Sequence, residues 1–499
     1  MYKYIKNQRK NILFAILLLS SVGLQAQSPD TRRIESWVTY PDRSLLLAKE
    51  QITTPFEKNE GKQLPIVVDD RQSFQEIDGF GFALTEGSAF HLNRMSSTER
   101  ARILRELFST DGNNVGINYI RLTIGASDLN NFVYTYNDLP DGETDFELKK
   151  FSLSHDLDDV IPVMKEILRI NPAIKIMASP WTAPAWMKVG NNYRGGALKP
   201  ECYGVYANYF VKYIQEMKKQ GIMIDAVTIQ NEPLNSRNTP SMSYFTEEHA
   251  LFVKEHLGPA FEKAGLQTKI IVFDHNCDRP DYPLAILSDP ETARYVDGSA
   301  FHHYRGEIST MSTVHLARPD KNIYFTEQMV TEKPGSPEIH IAGQVKRLVV
   351  GVMRNWSRNL ILWNLAADPL NDPHTDNGGC SMCQGAITID GDQVTRNLAY
   401  YVVAHASKFV PDGSVRIAST DGYDRAVDLT EDEERPEIKR ATLIEHSHVL
   451  PNVAFKTPQG KIVLVVANDT WSVSTVKIQY NGAYASLKLP PGAVGTYIW

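Results

Sequence analysis

The chain has 499 residues, 42% apolar, 22% charged and 10% aromatic, which excludes disordered, collagen-like and low-complexity classes. Acidic residues outnumber basic ones by 59 to 52, a net charge of −7, and no basic run appears in the body of the chain, so a nucleic-acid partner lacks its electrostatic footprint. Four cysteines are too few for a disulfide framework in a chain this long, and a hydrophobic core must carry the fold.

Residues 1–26 carry Lys3, Lys6, Arg9 and Lys10, then an apolar run from Ile12 to Ser20, then Leu24-Gln25-Ala26, the order of a secretory signal peptide. The run is too short to span a bilayer, and no later stretch reaches the ~20 apolar residues of a membrane helix. Export is therefore expected, to the periplasm, the medium or the cell surface of a bacterium, with no transmembrane segment in the mature protein. No cysteine stands near residue 26 to carry a lipid anchor.

Residues 27–75 read as strands that precede the main domain and join a side sheet. From residue 76 to 410, β-branched apolar runs alternate with helix-period stretches, the pattern of βαβ units. Eight strands are expected: Gly79–Leu84, Tyr119–Gly125, Ile174–Pro180, Ala226–Gln230, Lys269–Phe273, Gly298–His303, Asn322–Thr326 and Asn359–Asn364. Helices are expected at Ser97–Phe108, where Ser96 and Glu99 suit a capping box, and at Leu157–Ile170, Tyr203–Lys219, Glu247–Ala264, Ile341–Trp356 and Leu398–Phe409. Eight strand–helix units describe an α/β (β/α)8 TIM barrel, whose chemistry sits at the C-terminal strand ends.

Residues 411–499 change to short alternating runs, Lys461–Asn468, Ser474–Tyr480, Ala485–Leu489 and Gly495–Trp499 among them, expected to form an antiparallel β-sandwich with the N-terminal segment. The charged stretch Asp428–Arg440 reads as a solvated loop or hairpin. Cys380-Ser381-Met382-Cys383 lacks the second pair a structural zinc site needs, so a local disulfide or two thiols are expected there and no metal or cofactor.

The fourth strand ends in Ile229-Gln230-Asn231-Glu232-Pro233 and the seventh in Tyr324-Phe325-Thr326-Glu327-Gln328. Each delivers one carboxylate to the same barrel face. Two facing carboxylates suffice for glycosidic cleavage, one protonating the leaving oxygen and the other attacking or activating water. Asn231, beside the acid, suits a sugar hydroxyl. A single glutamate at a strand end is more often a salt-bridge partner, and it is the pair in register that points to catalysis. Pyranose faces stack on aromatic rings, and Trp181, Trp186, Tyr304 and Trp363 all fall near strand ends. His302 and His303 alternate along a strand, so at most one faces the site, and His302 is the expected one.

Several marks together resemble glycoside hydrolase family 30, the retaining β-glycosidases that include glucosylceramidases and β-1,6-glucanases. They are Asp78-Gly79-Phe80-Gly81-Phe82-Ala83-Leu84-Thr85-Glu86, Tyr119-Ile120-Arg121, Ser127-Asp128, Ser179 through Lys188, Gln230-Asn231-Glu232-Pro233, Phe301-His302-His303-Tyr304, Thr326-Glu327 and Trp363-Asn364-Leu365.

The resemblance implies that Glu232 is the general acid/base, holding its proton because Glu327 is near, and that Glu327 is the nucleophile of a double displacement. It implies that Arg121 keeps Glu327 ionised and that Trp186, Tyr304 and Trp363 line the sugar pocket. Glu86 stands where the family pattern has an aspartate that binds hydroxyls of the terminal sugar, and it is expected to do the same with altered geometry. The implied substrates are β-glucosides, β-linked glucan oligosaccharides (β-1,6-linked among them) or glucosylceramides. Cleavage of β-xylosides or β-fucosides is the alternative within the family, and a non-catalytic glycan binder the alternative outside it.

Overall fold

Strands covered on both faces need apolar side chains at every position, and all six residues of Gly79–Leu84 are buried. The computed structural model describes residues 32–58, 64–420, 423–431, 439–447 and 449–499. The leader expected over 1–26 lies outside the described residues, as do 432–438 of the charged stretch. The backbone flanking that stretch, Tyr423–Glu431 and Lys439–Ser447, pairs as an antiparallel hairpin.

Eight parallel strands form one sheet: β1 (Gly79–Leu84), β2 (Tyr119–Thr123), β3 (Lys175–Ser179), β4 (Ala226–Thr228), β5 (Lys269–Asn276), β6 (Val296–His302), β7 (Asn322–Glu327) and β8 (Asn359–Leu362). β8 pairs with β1, and a parallel bridge from Ile323 to Ser357 links β7 to the residues leading into β8, so the ring closes. Tyr119, Met177, Ala226, Ile271, Ala300, Tyr324 and Ile361 pack together, one from nearly every strand, as the filled interior of a barrel. Gly81 lets β1 and β2 approach, since a Cβ there would stand 1.8 Å from the Tyr119 carbonyl oxygen.

Helices follow the strands and bury one stripe each. In Val160–Ile170 the buried side is Val160, Ile161, Val163, Met164 and Ile167. Helix Ser97–Phe108 starts where its cap predicts, with Ser96 Oγ accepting from the Glu99 amide at 3.4 Å. The reciprocal half of the box is replaced: Glu99 accepts from Arg102 at 2.7 Å instead.

Segments from both the N-terminal and C-terminal parts of the chain build the second sheet, which has ten strands among the described residues. Arg33–Thr39 pairs antiparallel with Val494–Ile498, and Ile66–Ile77 pairs antiparallel with Ser414–Ser419. One pairing departs from the antiparallel expectation: Ser474–Tyr480 runs parallel to Ile66–Val68. Helix Leu398–Ser407 is buried throughout, and His405 joins the two domains, its ring nitrogens 2.8 Å from Thr39 Oγ1 and 2.9 Å from Thr496 Oγ1. Among the described residues no helix is long and apolar enough to cross a membrane.

A small sheet that the sequence did not suggest follows β8, made of Ala366–Ala367, Ile387–Asp390 and Gln393–Arg396. The loop between its first two strands contains a disulfide between Cys380 and Cys383.

Candidate active site

The C-terminal ends of β4 and β7 bring Glu232 and Glu327 to one cleft of about 660 Å³, whose lining also includes Asp128, His275, Tyr304 and Trp363. Nδ1 of His302, at the end of β6, stands 3.1 Å from Oε1 of Glu232 and 3.8 Å from Oε1 of Glu327. Two oxygens so close to one atom are at most about 7 Å apart, a bound that admits the ~5–5.5 Å carboxyl spacing of retaining glycosidases.

Beneath the cleft lies a buried charge network. Arg121 points inward from β2, fully buried, and donates to Glu327 Oε2 at 2.7 Å, Asp274 Oδ2 at 2.8 Å and Asn231 Oδ1 at 2.8 Å. Asp274, near the end of β5, also accepts from Thr228 and Thr326 at 2.6 Å each. Ser179 donates to it at 3.2 Å, and Nε2 of His302 is 3.0 Å away. The guanidinium and its carboxylates are mutually paired and hydrogen-bonded, the condition for burying charge at tolerable cost.

The electrostatics reverse one expectation. Glu232 is held as the carboxylate. Burial would favour its neutral form, but the hydrogen bond from His302 and the nearby His275, its Nδ1 3.6 Å away, outweigh burial and keep the carboxyl below the ordinary glutamate range. His302 takes the opposite shift. Burial would lower it, yet Glu327, Asp274 and Glu232 raise it to about 9. Both its ring nitrogens face carboxylate oxygens, which only accept, so at neutral pH the ring is an imidazolium. Asp128 is the neutral acid: burial, with Glu327 and Glu232 nearby, pushes it up to about 8.

Glu232, His275 and His302 also offer three ligand atoms within 4.8 Å of one another, the one such group among the described residues. Glu232 and His302 are joined by a hydrogen bond at 3.1 Å, and His275 Nδ1 stands 3.6 Å from the same carboxylate oxygen, so the group reads as an acid–imidazole pair with a second imidazole beside it.

The backbone is held in rare conformations here. Glu232, Phe273 and Asp274 have φ of 46°, 78° and 58°, in the left-handed region that costs non-glycine residues of order 1–3 kcal/mol each. The Glu232 amide donates to the Asp274 carbonyl at 3.0 Å, and Asn235 Nδ2 donates to Glu232 Oε2 at 2.7 Å, so the turn after β4 is fixed at both ends of the acid.

Of the residues expected at the site, Glu232, Glu327, Tyr304 and Trp363 line the cleft, and Tyr304 donates from its hydroxyl to Glu327 Oε1 at 3.1 Å. Arg121, Asn231 and His302 support it from beneath. Two expectations fail. Trp186 is packed away from the cleft, its Nε1 donating to Asn137 at 3.0 Å and its ring edge-on to Phe146. Trp181 packs behind the cleft instead, buried, stacking on Trp363 at 5.2 Å and lying under the Arg121 guanidinium. Glu86 begins helix Glu86–Arg94 and faces a separate cavity, so it cannot bind the terminal sugar in the cleft.

Asp274 and His275 were not singled out from sequence, and Asp128 was noted only in the Ser127-Asp128 mark, without a role. The polar triplet Asp274-His275-Asn276 directly after an apolar strand run is the signal that could have found two of them.

The glycosyl hydrolase family 30 TIM-barrel domain matches residues 77–410, and the beta sandwich domain of that family matches 439–497. An endo-1,6-beta-D-glucanase of Neurospora crassa is 35% identical over 371 residues, covering 72% of this chain and 75% of that protein. The lysosomal acid glucosylceramidase of Mus musculus is 29% identical over 463 residues, covering 88% of this chain and 84% of that protein. A solved endo-β1,6-glucanase structure superposes with a TM-score of 0.81 at 32% identity, covering 94% of this chain and 99% of that one.

Proposed function

We propose a substrate and a division of labour on one premise: this chain belongs to glycosyl hydrolase family 30 and is a β-glycosidase. The substrate is a β-1,6-linked glucan, cut within the chain. The similarity to endo-1,6-β-glucanases at 35% and 32% identity supports this, against 29% for the glucosylceramidase. The glucosylceramidase alignment spans more of the chain, and a glucosylated lipid is therefore the second reading. The alternative of a non-catalytic binder is set aside.

Glu327 attacks the anomeric carbon from below while Glu232 protonates the leaving oxygen, giving a covalent glycosyl-enzyme. Water then displaces Glu327, with Glu232 taking the proton, and two inversions return the β configuration. The observation that carries this is the meeting of the two carboxylates on His302. Before the sugar arrives the proton resides on His302 and Glu232 is ionised; a leaving oxygen within reach of Glu232 draws the proton from His302 through that carboxylate. Arg121 occupies the Oδ1 of Asn231, leaving the amide hydrogens for a sugar hydroxyl. Asp128, neutral at pH 7, donates to another, and the Trp363 ring takes the apolar sugar face.

Export is part of the proposal. The signal-peptide pattern of residues 1–26 supports it, as does the Cys380–Cys383 disulfide, a bond that persists in oxidising compartments. The test of substrate is a panel of pustulan, laminarin, an aryl β-glucoside and glucosylceramide with product sizes followed over time. Early oligosaccharides from pustulan are expected; early glucose alone would mean exo action, and preferred hydrolysis of glucosylceramide would replace the glucan reading.

A further inference from the structure

Glu86 is 7% exposed, and its Oε2 has no hydrogen-bond partner among the described residues. Its other oxygen accepts from Asn131 at 3.4 Å. Both residues line a cavity of about 460 Å³ that lies apart from the cleft. The lining comes from the segments after β1 and β2, so the cavity opens at the same end of the barrel. One loop serves both sites, with Asp128 on the cleft and Asn131, three residues on, in the second cavity.

One wall of this cavity is aromatic. Phe132 is 53% exposed, 5.7 Å from Tyr134 and 5.4 Å from His155, and Tyr134 and His155 lie 4.4 Å apart. The lining is otherwise mostly polar, with Glu86, Arg94, Asn131, Asp158 and Asp159. Burial and, after it, the charge of Asp159 push Glu86 up to about 7, so near neutral pH it can both donate and accept. A metal does not fit. Among the described residues no three ligand atoms from these acids come as close together as in the cleft group.

Exposed rings in one cavity with hydrogen-bonding acids and an amide match the two kinds of surface a pyranose presents. We propose that this cavity binds a sugar unit of a glycan chain, separately from the cleft in which the bond is broken. The proposal goes beyond the cleavage reaction, which does not need it, and it does not depend on which linkage the cleft prefers.

The test is the affinity of the full chain for glucose disaccharides and hexasaccharides in β-1,6, β-1,3 and β-1,4 linkage, in a Glu327→Gln background so that nothing is consumed. It is made with and without the added pair Phe132→Ala and His155→Ala. Both rings are exposed, and unchanged turnover of a short aryl glycoside by the pair in the native background checks that the cleft is intact; Phe132→Ala alone serves if it is not.

The expected result is a loss of about tenfold in hexasaccharide affinity, equal to about 1.4 kcal/mol, with disaccharide affinity unchanged. The proposal is overturned if no hexasaccharide binds, if none loses affinity, or if both lengths lose it equally. The linkage that binds best tests the substrate reading separately.

Discussion

Arg121 Nη1 donates to Glu327 Oε2 at 2.7 Å, joining the second strand of the barrel to the seventh with the guanidinium fully buried and the carboxylate nearly so. The same guanidinium also holds Asp274, so its removal strands two buried carboxylates. Breaking a buried pair from one side costs roughly 3–5 kcal/mol. Arg121→Gln is expected to lose that much in denaturant unfolding and more than 100-fold in kcat/KM. Arg121→Lys should not recover activity, because an ammonium cannot reproduce the planar fork that reaches three partners.

His302 makes stability depend on pH in a stated direction. Its folded-state value of about 9 lies above the ordinary ~6.5, so its stabilisation is full below that ordinary value and is lost as pH rises through the folded one. The melting-temperature advantage of the native chain over His302→Gln should shrink between about pH 6.5 and 9. A constant advantage over that window would mean the ring is neutral.

Asp128 works the other way. Its folded value of about 8 stands above the ordinary ~3.9, so keeping an ionisable acid there costs increasing stability as pH rises between the two. Asp128→Asn cannot ionise. It should melt higher than the native chain, by a margin that grows from pH 4 to pH 8, while Asp128→Ala loses more turnover than Asp128→Asn does. A native chain that melts higher than Asp128→Asn at pH 8 would contradict the neutral-acid role.

The tryptophans separate by position. Trp363→Ala should raise KM at least tenfold, through loss of the sugar platform. Trp186→Phe, which keeps the packing against Phe146 but not the bond to Asn137, should leave KM within about twofold and act on stability. Equal effects on KM would return Trp186 to the cleft.

The barrel was legible because covered strands such as β1 carry no polar side chain and the stretches between strands carry helical periodicity. Glu232 and Glu327 were legible because each stands at the C-terminal end of an expected strand, the fourth and the seventh. What sequence hid was direction. Trp181 and Trp186 are five residues apart on one turn-rich segment, and only the fold decides which ring meets Trp363. Glu86 begins a helix, and the rotation of that helix turns it to the second cavity. The state of Glu232 is hidden in the sequence because it is set by His275 and His302, from strands far along the chain. The parallel pairing of Ser474–Tyr480 with Ile66–Val68 is likewise a long-range choice with no local pattern.

The division of roles between the two glutamates is tested most directly by Glu327→Ala incubated with an aryl β-glucoside and azide, with the product's anomeric configuration read by NMR. If Glu327 is the nucleophile, turnover is abolished without azide and partly restored with it, and the product is the α-glucosyl azide. Full activity without azide, or a β-glucosyl azide as the rescue product, would contradict the assignment.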